Sequence, residues 1–417
     1  MLASGGTLLW RLAGLGLSLV TSVVLARAFA PDARGYLAVM MAVPGLIAIV
    51  ATFGLETSNL YFAGRSPASH ARVVMYSVRY SLLVGLVLTV VALAGAVVVP
   101  GLRLGLAPAD FAISIALVTP VLAAALLTTS EAGRGRAVSA SAVNVIPLVL
   151  YLVVTVLLTM AGYATVAAVF GVFALTRVMQ TVWLLWRSRD VVGRGDDATS
   201  FRDYLGYAVG ASAPTILMLL LLRIDVPIIQ ALAGPAQVGL WATATPMAEI
   251  LLLIPTAINL VLLPRIAAGN QKAPAFLPLL RRTFIATMAG AIGIALLAPI
   301  AIPAMFGSRY AAATPILWLL LPGLVALATS RVVHIYLLAE RRFMIPTASA
   351  ATGLVVCVIL ELTFVPLYGA MAAATATTVA YLVVAAVTMA GALRRPPDEG
   401  ADSLERSPDR GPVSDDL

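Results

Sequence analysis

The sequence predicts an all-α, polytopic membrane protein with about twelve transmembrane helices, arranged as two pseudo-symmetric six-helix lobes. Three observations carry that expectation. Hydrophobic residues make up 61% of the 417 residues and charged residues only 11%, with a mean hydropathy of +1.00, whereas soluble domains run near ~25% charged. Apolar stretches close to the ~20 residues that a bilayer core demands recur at 7–29, 36–62, 74–98, 110–131, 138–161, 164–187, 203–233, 238–263, 281–304, 313–338, 345–366 and 369–393. The last six stretches echo the first six.

That echo is detailed. Ala28 to Gly35, AFAPDARG, matches Ala231 to Gly239, ALAGPAQVG, at an offset near 204 with one residue inserted. Pro100 and Pro303, Pro120 and Pro322, and Gly162 and Gly369 keep nearly the same spacing. With six spans each, both halves begin on the same side of the membrane, and transporters with such parallel repeats hold substrate where the repeats meet. The expected organisation is a lobe at 1–187, a polar linker at 188–202, a lobe at 203–393 and a disordered polar tail at 394–417.

Loop charge sets orientation. Nineteen Lys and Arg residues fall in the tail and one set of alternate loops, against only Arg34, Arg103 and Arg309 in the other set. Positive charge accumulates on cytoplasmic loops, so both termini are expected in the cytoplasm of a bacterial inner membrane. The apolar run Leu12 to Leu25 ends in signal-cleavage-like Ala-x-Ala steps, but it lacks a basic leader and has a counterpart in the second half, so it reads as the first span.

Composition also excludes several functions. The +8 net charge is scattered over short loops and forms no nucleic-acid patch. The single Cys357 allows no internal disulfide or cysteine metal cluster, and neither His70 nor His334 has metal-ligand spacing around it. A Gly-rich phosphate loop with its Lys is missing, so ATP hydrolysis is not expected. Loops on the charge-poor side reach at most about a dozen residues, which leaves no room for a catalytic domain. The reading is therefore no enzyme, cofactor or metal; transport is passive, or driven by H+, Na+ or the membrane potential.

Along the chain, span one places Ser4, Thr7, Arg11, Gly14, Ser18 and Ser22 at steps of three or four, a single helical stripe. Small residues on a stripe let helices approach closely; Arg11 within it favours a cavity wall. Span two carries Gly45, Thr52, Glu56 and Asn59 on one face, with Glu56 near enough to the end to snorkel. Pro120 and Pro147 predict kinks, Asn144 needs a partner on another helix, and Arg177 lies at intermediate depth in span six.

Tyr204 to Pro264 is the most heavily loaded stretch. Arg223 and Asp225 sit mid-helix, where a charge costs about 2.5–3.5 kcal/mol on insertion scales, so the fold must offer partners, water or a ligand. Pro227 cannot donate to the carbonyl of Arg223, which predicts a bend there. At about 100° per residue, Ser212, Arg223 and Gln230 share one face and Asp225 takes the opposite one. The Arg223 face reads as a cavity wall and Asp225 as seeking a neighbouring helix; an interhelical ion pair that only fixes packing is the alternative. Glu249 follows on span eight beside Thr245 and Thr256, Arg331 and His334 lie at i and i+3 on span ten, and Glu361, just before Pro366, is expected at the outer interface.

The six-plus-six plan, the turn Ala30 to Tyr36, the stretch Gly54 to Asn59 (GLETSN), the segment Asp225 to Ala242 and Pro366 to Ala370 (PLYGA) resemble the Wzx-type polysaccharide and O-antigen flippases of the multidrug/oligosaccharidyl-lipid/polysaccharide (MOP) exporter superfamily, over about residues 5–393. The resemblance implies a MATE- and MurJ-like fold that moves an undecaprenyl-pyrophosphate-linked oligosaccharide from the cytoplasmic to the outer leaflet by alternating access around a cationic cavity. Membrane lipids, a polysaccharide polymerase and glycosyltransferases would be its partners. Carried onto this chain, the cavity set is Arg11, Arg27, Arg223, Ser18, Ser22, Ser212 and Gln230, and the coupling or gating set is Asp225, Glu249, Glu56, Arg331 and His334. The lipid II flippases have an additional C-terminal helix pair that this sequence lacks. Acidic residues in both halves keep ion-coupled, MATE-like drug efflux as the alternative.

Overall fold

A computed structural model describes residues 2–189, 200–258, 276–339 and 342–394; most of the expected linker and tail fall outside them. Every regular element among the described residues is a helix. The first half holds α1 (Leu2–Ala28), α2 (Pro31–Ala51), α3 (Leu55–Phe62), α4 (Pro67–Val98), α5 (Pro108–Ala116), α6 (Val118–Gly133), α7 (Ala137–Met160) and α8 (Val166–Ser188). The second holds α9 (Phe201–Leu221), α10 (Asp225–Ala233), α11 (Pro235–Glu249), α12 (Phe276–Phe306), α13 (Ala313–Ala339), α14 (Met344–Tyr368) and α15 (Ala370–Leu393). Eleven segments are long and apolar enough to cross a membrane, and the apolar part of α1, Leu12–Ala28, is a shorter twelfth.

Three expected spans are each broken in two, for identifiable reasons. Between α2 and α3, Phe53 (φ 42°) and Gly54 (φ 76°) are left-handed, a conformation that glycine tolerates and that stops a helix. The expected Gly45–Thr52–Glu56–Asn59 face therefore does not run through. Pro120 cannot bond back to Ala116, and α5 gives way to α6 at Leu117. The bend foreseen at Arg223 is present: α9 tightens at its end, with Arg223 N and Ile224 N both bonding Leu220 O, before α10 begins at Asp225.

α2 and α11 start at equivalent points of the repeat, Pro31 and Pro235, and pack along one another across the two halves. Proline suits the first turn of a helix, where its missing N–H is not needed. The close approach depends on glycine. A Cβ on Gly35 would lie 1.8 Å from Pro235 O, and one on Gly239 would lie 2.0 Å from Pro31 O. Around this crossing Leu37, Met40, Val238, Trp241, Phe306 and Leu317 join one apolar core drawn from both halves.

The halves also meet at the opposite end of the bundle, where α3 reaches α9. Ser58 Oγ donates to Tyr204 O at 2.7 Å, the Tyr204 hydroxyl donates to Asn59 Oδ1, and Asn59 Nδ2 donates to Leu126 O at 2.6 Å. Tyr61 and Tyr207 stack there with ring centroids 4.6 Å apart.

Candidate functional site

Between the Gly35 end and the Tyr204 end lies a cavity of about 660 Å³. α1 contributes Trp10, Gly14 and Ser18, α6 Thr128 and Thr129, α7 Ser141 and Asn144, and the α11 segment Glu249 and Thr256, with leucines between them. Both halves thus build one wall of hydroxyl, amide and carboxylate groups interleaved with aliphatic carbon, suited to a ligand with polar and apolar parts.

A second cavity of about 290 Å³ adjoins it, walled by the first half and by Ala242 of the second. Ser18 and Leu148 line both spaces. Its walls include Thr21, Ser22, Tyr151, Thr176 and two arginines, Arg34 and Arg177. Arg34 is 3% exposed, although the loop count places it among the extracytoplasmic loop charges. Pro31 begins α2 at once, and the first turn carries Arg34 inward. Its guanidinium donates to Thr243 Oγ1, to Ser22 Oγ at 2.5 Å and to Ala242 O at 3.0 Å. Arg177 donates to Gln180 Oε1 at 3.1 Å, and Gln180 Nε2 in turn donates to Asn144 Oδ1 at 2.9 Å.

The expected cavity residues divide. Ser18 and Ser22 do line cavity walls. Arg11 lies on α1 and Ser212 on α9, and their side chains are outside the described set. Arg27 is exposed at the Gly35 end, where its Nε donates to Met305 O at 2.8 Å and its Nη2 to Ala304 O. Gln230 lies at the same end and donates to Leu104 O at 2.9 Å. The break between α9 and α10 explains the separation of Gln230 from Arg223, since a 100° step cannot be carried through a non-helical joint. Arg223 pairs with Glu249, Nη1 to Oε1 3.2 Å, with the two side chains 52% and 20% exposed.

Of the coupling candidates, Asp225 is the most enclosed. It is 2% exposed and accepts from Thr377 Oγ1 at 2.8 Å, with Cys357 Sγ at 3.9 Å. Ligand atoms of Asp225, Cys357 and Glu361 lie within 4.8 Å of one another, a grouping able to hold a cation. This corrects the expectation that Glu361 reaches an interface. α14 continues past Pro366 to Tyr368, which leaves Glu361 fully buried on the face toward α10. It also extends the reading of Cys357, because helices distant in sequence assemble a ligand set that no local spacing announces. His334 Nε2 lies 2.9 Å from Thr388 Oγ1, a packing contact between α13 and α15. Arg331 and Glu56 are half-buried. Sequence reading missed one cluster altogether: Glu131, 2% exposed, meets Arg187 at 3.1 Å, Arg136 at 3.7 Å and His70 at 3.9 Å.

Solved structures share this architecture. A lipid II flippase MurJ in an inward closed conformation superposes with a TM-score of 0.71 at 14% identity, covering 93% of this chain and 88% of that one. An inward-facing MATE-family multidrug resistance transporter of the MOP superfamily gives 0.62 at 16% identity, covering 92% and 97%. A MOP superfamily transporter from Pyrococcus furiosus, described as having a binding pocket of reverse polarity, gives 0.60 at 16% identity, covering 93% of each chain. The chain therefore has the fold of these transporters, with eleven segments long and apolar enough to cross a membrane. A family model described as "Polysaccharide biosynthesis protein" matches residues 24–315. The chain belongs to that family. No curated relative matches it in sequence.

Proposed function

We propose that this chain is a flippase that carries a lipid-linked oligosaccharide, of the undecaprenyl-pyrophosphate type, from the cytoplasmic to the outer leaflet for cell-surface polysaccharide synthesis. The observation that carries the reading is the 660 Å³ cavity lined by residues of both halves, in a chain of the polysaccharide biosynthesis family. Alternating access needs two ends that open in turn around a fixed site, and the Gly35 and Tyr204 contacts are the two seams that would part. Lobes at 1–187 and 203–393, joined by 188–202, would move against each other. Loop arginines put both termini in the cytoplasm of a bacterial inner membrane. Membrane lipids surround the lobes, and a polymerase and glycosyltransferases act after and before it.

The Asp225–Cys357–Glu361 grouping with Thr377 is the candidate coupling site, for H+ or Na+. Its oxygens suit a hard cation or a shared proton, and it lies on the second-half helices α10, α14 and α15. Arg11 and Arg223 remain proposed for the cationic lining, Arg27 is assigned to the Gly35 seam through its bonds to Met305 O and Ala304 O, and Glu56, Glu249, Arg331 and His334 are gating candidates.

Expression in a bacterium deleted for its own polysaccharide flippase tests the reading. Restored surface polysaccharide, lost again in Arg223→Ala at equal protein level, is the expected outcome. Unchanged export in that variant removes Arg223 from the site. No export, with raised resistance to cationic dyes that Asp225→Asn abolishes, replaces the flippase with a drug antiporter.

A further inference from the structure

Arg34 and Arg177 stand in the side pocket without an acidic partner: no carboxylate among the described residues forms an ion pair with either. Guanidinium groups enclosed in a membrane lobe are costly unless partners, water or a ligand meet them. Ring contacts offset part of that cost, since Arg177 stacks 5.0 Å from the Phe173 centroid, and Arg34 lies 5.2 Å from Tyr310 and 5.6 Å from Phe306. Arg34 also gives donors to Thr243, Ser22 and Ala242, so the donors still open, most of them on Arg177, are those an anion would meet.

The polar groups around the pocket fit one. The Thr21 and Thr176 hydroxyls already donate to their own helix carbonyls, Leu17 O and Phe173 O. Among the described residues the Tyr151 hydroxyl donates to the weak acceptor Met41 Sδ at 3.8 Å, a bond that a phosphate oxygen could replace. Among the described residues the Arg177 side chain makes one hydrogen bond, to Gln180, from a fork with five N–H donors that matches phosphate oxygens. Gln180 is 2% exposed and holds the fork toward the pocket. Asn144, at the far end of that chain, lines the main cavity.

We propose that Arg34, Arg177 and Tyr151 form a subsite for a phosphate-class anion, entered from the main cavity past Ser18 and Leu148. Two sources share this chemistry: the diphosphate of a lipid-linked cargo, or a free inorganic phosphate or diphosphate. The lipid-borne source rests on the flippase reading; the anion site does not.

Full-length protein in phosphatidylcholine nanodiscs is titrated calorimetrically with inorganic diphosphate and, separately, with farnesyl diphosphate. Arg177→Gln is expected to weaken binding by at least about tenfold, roughly 1.4 kcal/mol, with Arg177→Lys intermediate and Arg103→Gln, a charge-matched loop control, unchanged. Arg177 is the chosen position because Arg34 also bonds the second half, so its loss mixes binding with fold. Binding of both probes, lost in Arg177→Gln, assigns the free anion as sufficient; binding of farnesyl diphosphate alone assigns the lipid head group. Failure of both probes to bind, or equal affinity in Arg177→Gln, overturns the subsite. Export in the flippase-deleted host is scored in parallel. Diphosphate binding that depends on Arg177, without restored export, retains the subsite and discards the cargo reading.

Discussion

Gly35 and Gly239 occupy equivalent places in the two halves, and each leaves room for the other half's backbone: Pro235 O would lie 1.8 Å from a Cβ on Gly35, and Pro31 O 2.0 Å from one on Gly239. Neither obstacle is a flexible side chain. Backbone must move if either glycine gains a methyl group, and overpacking of this kind costs about 1–3 kcal/mol. Gly35→Ala and Gly239→Ala are each expected to lower the thermal unfolding midpoint. Because one separation of α2 from α11 relieves both clashes, the double variant should lose less than the sum of the singles. Fully additive losses would mean that the two glycines do not share a seam.

Arg27 and Gln230 mirror each other around the same seam. Each donates to a carbonyl of the opposite half, Arg27 Nε to Met305 O at 2.8 Å and Gln230 Nε2 to Leu104 O at 2.9 Å. Arg309 adds bonds to Ala26 O and Arg27 O, and Tyr310 OH one to Phe29 O at 2.9 Å. A net hydrogen bond is worth about 0.5–1.5 kcal/mol, enough to bias a seam without deciding the fold. In Phe29→Cys, a site 6% exposed, a polar thiol reagent should react roughly fivefold faster when Arg27→Ala is added, the factor that about 1 kcal/mol implies. Equal rates would show that Arg27 does not hold this end shut.

Two ion pairs separate stability from transport. Glu131 is 2% exposed against Arg187 at 3.1 Å, whereas Arg223 and Glu249 are 52% and 20% exposed. Removing a buried partner costs more than breaking a solvated pair, which is worth about 0–1 kcal/mol. Glu131→Gln should therefore destabilise by about 1.5–3 kcal/mol in denaturation. Arg223→Gln should leave the midpoint nearly unchanged and reduce transport. A large stability loss in Arg223→Gln would turn that pair into a packing device.

What the residues disclosed follows their range of action. Hydropathy and the repeat are local or periodic, so the spans and the bend at Arg223 were legible, whereas the expected turn Ala30 to Tyr36 is helix from Pro31 onward. Arg34 was misread because Pro31-Asp32 looks like a loop, although the same proline is the first residue of α2. Its neighbour Gly35, repeated as Gly239, is the signal that could have placed it at a packed crossing. The common face of Arg223 and Gln230 failed at a helix break, where rotation per residue is no longer defined. The His70–Glu131–Arg187 cluster left no trace, since its members come from three helices and share no spacing. The same limit hid the neighbours of Asp225: Cys357, Glu361 and Thr377 are more than 130 residues away, Cys357 at a separation of 132.

That last cluster gives the coupling hypothesis its test. Thr377 Oγ1 also donates to Ala373 O at 2.8 Å, so its single proton can serve either Ala373 or Asp225, and a bound cation would favour the former and free the Asp225 oxygen. A ligand that binds only the folded state stabilises it by about 2.7 kcal/mol at a hundred times its Kd. Na+ added at constant ionic strength, with N-methylglucamine as the replaced ion, should raise the unfolding midpoint of the wild-type chain. Thr377→Val should shift that response to higher Na+, and Asp225→Asn should abolish it. A response to pH alone, equally lost in Asp225→Asn, assigns the site to H+. If neither ion moves the midpoint, the grouping is a packing feature; the flippase reading would then stand with the membrane potential as its driving force.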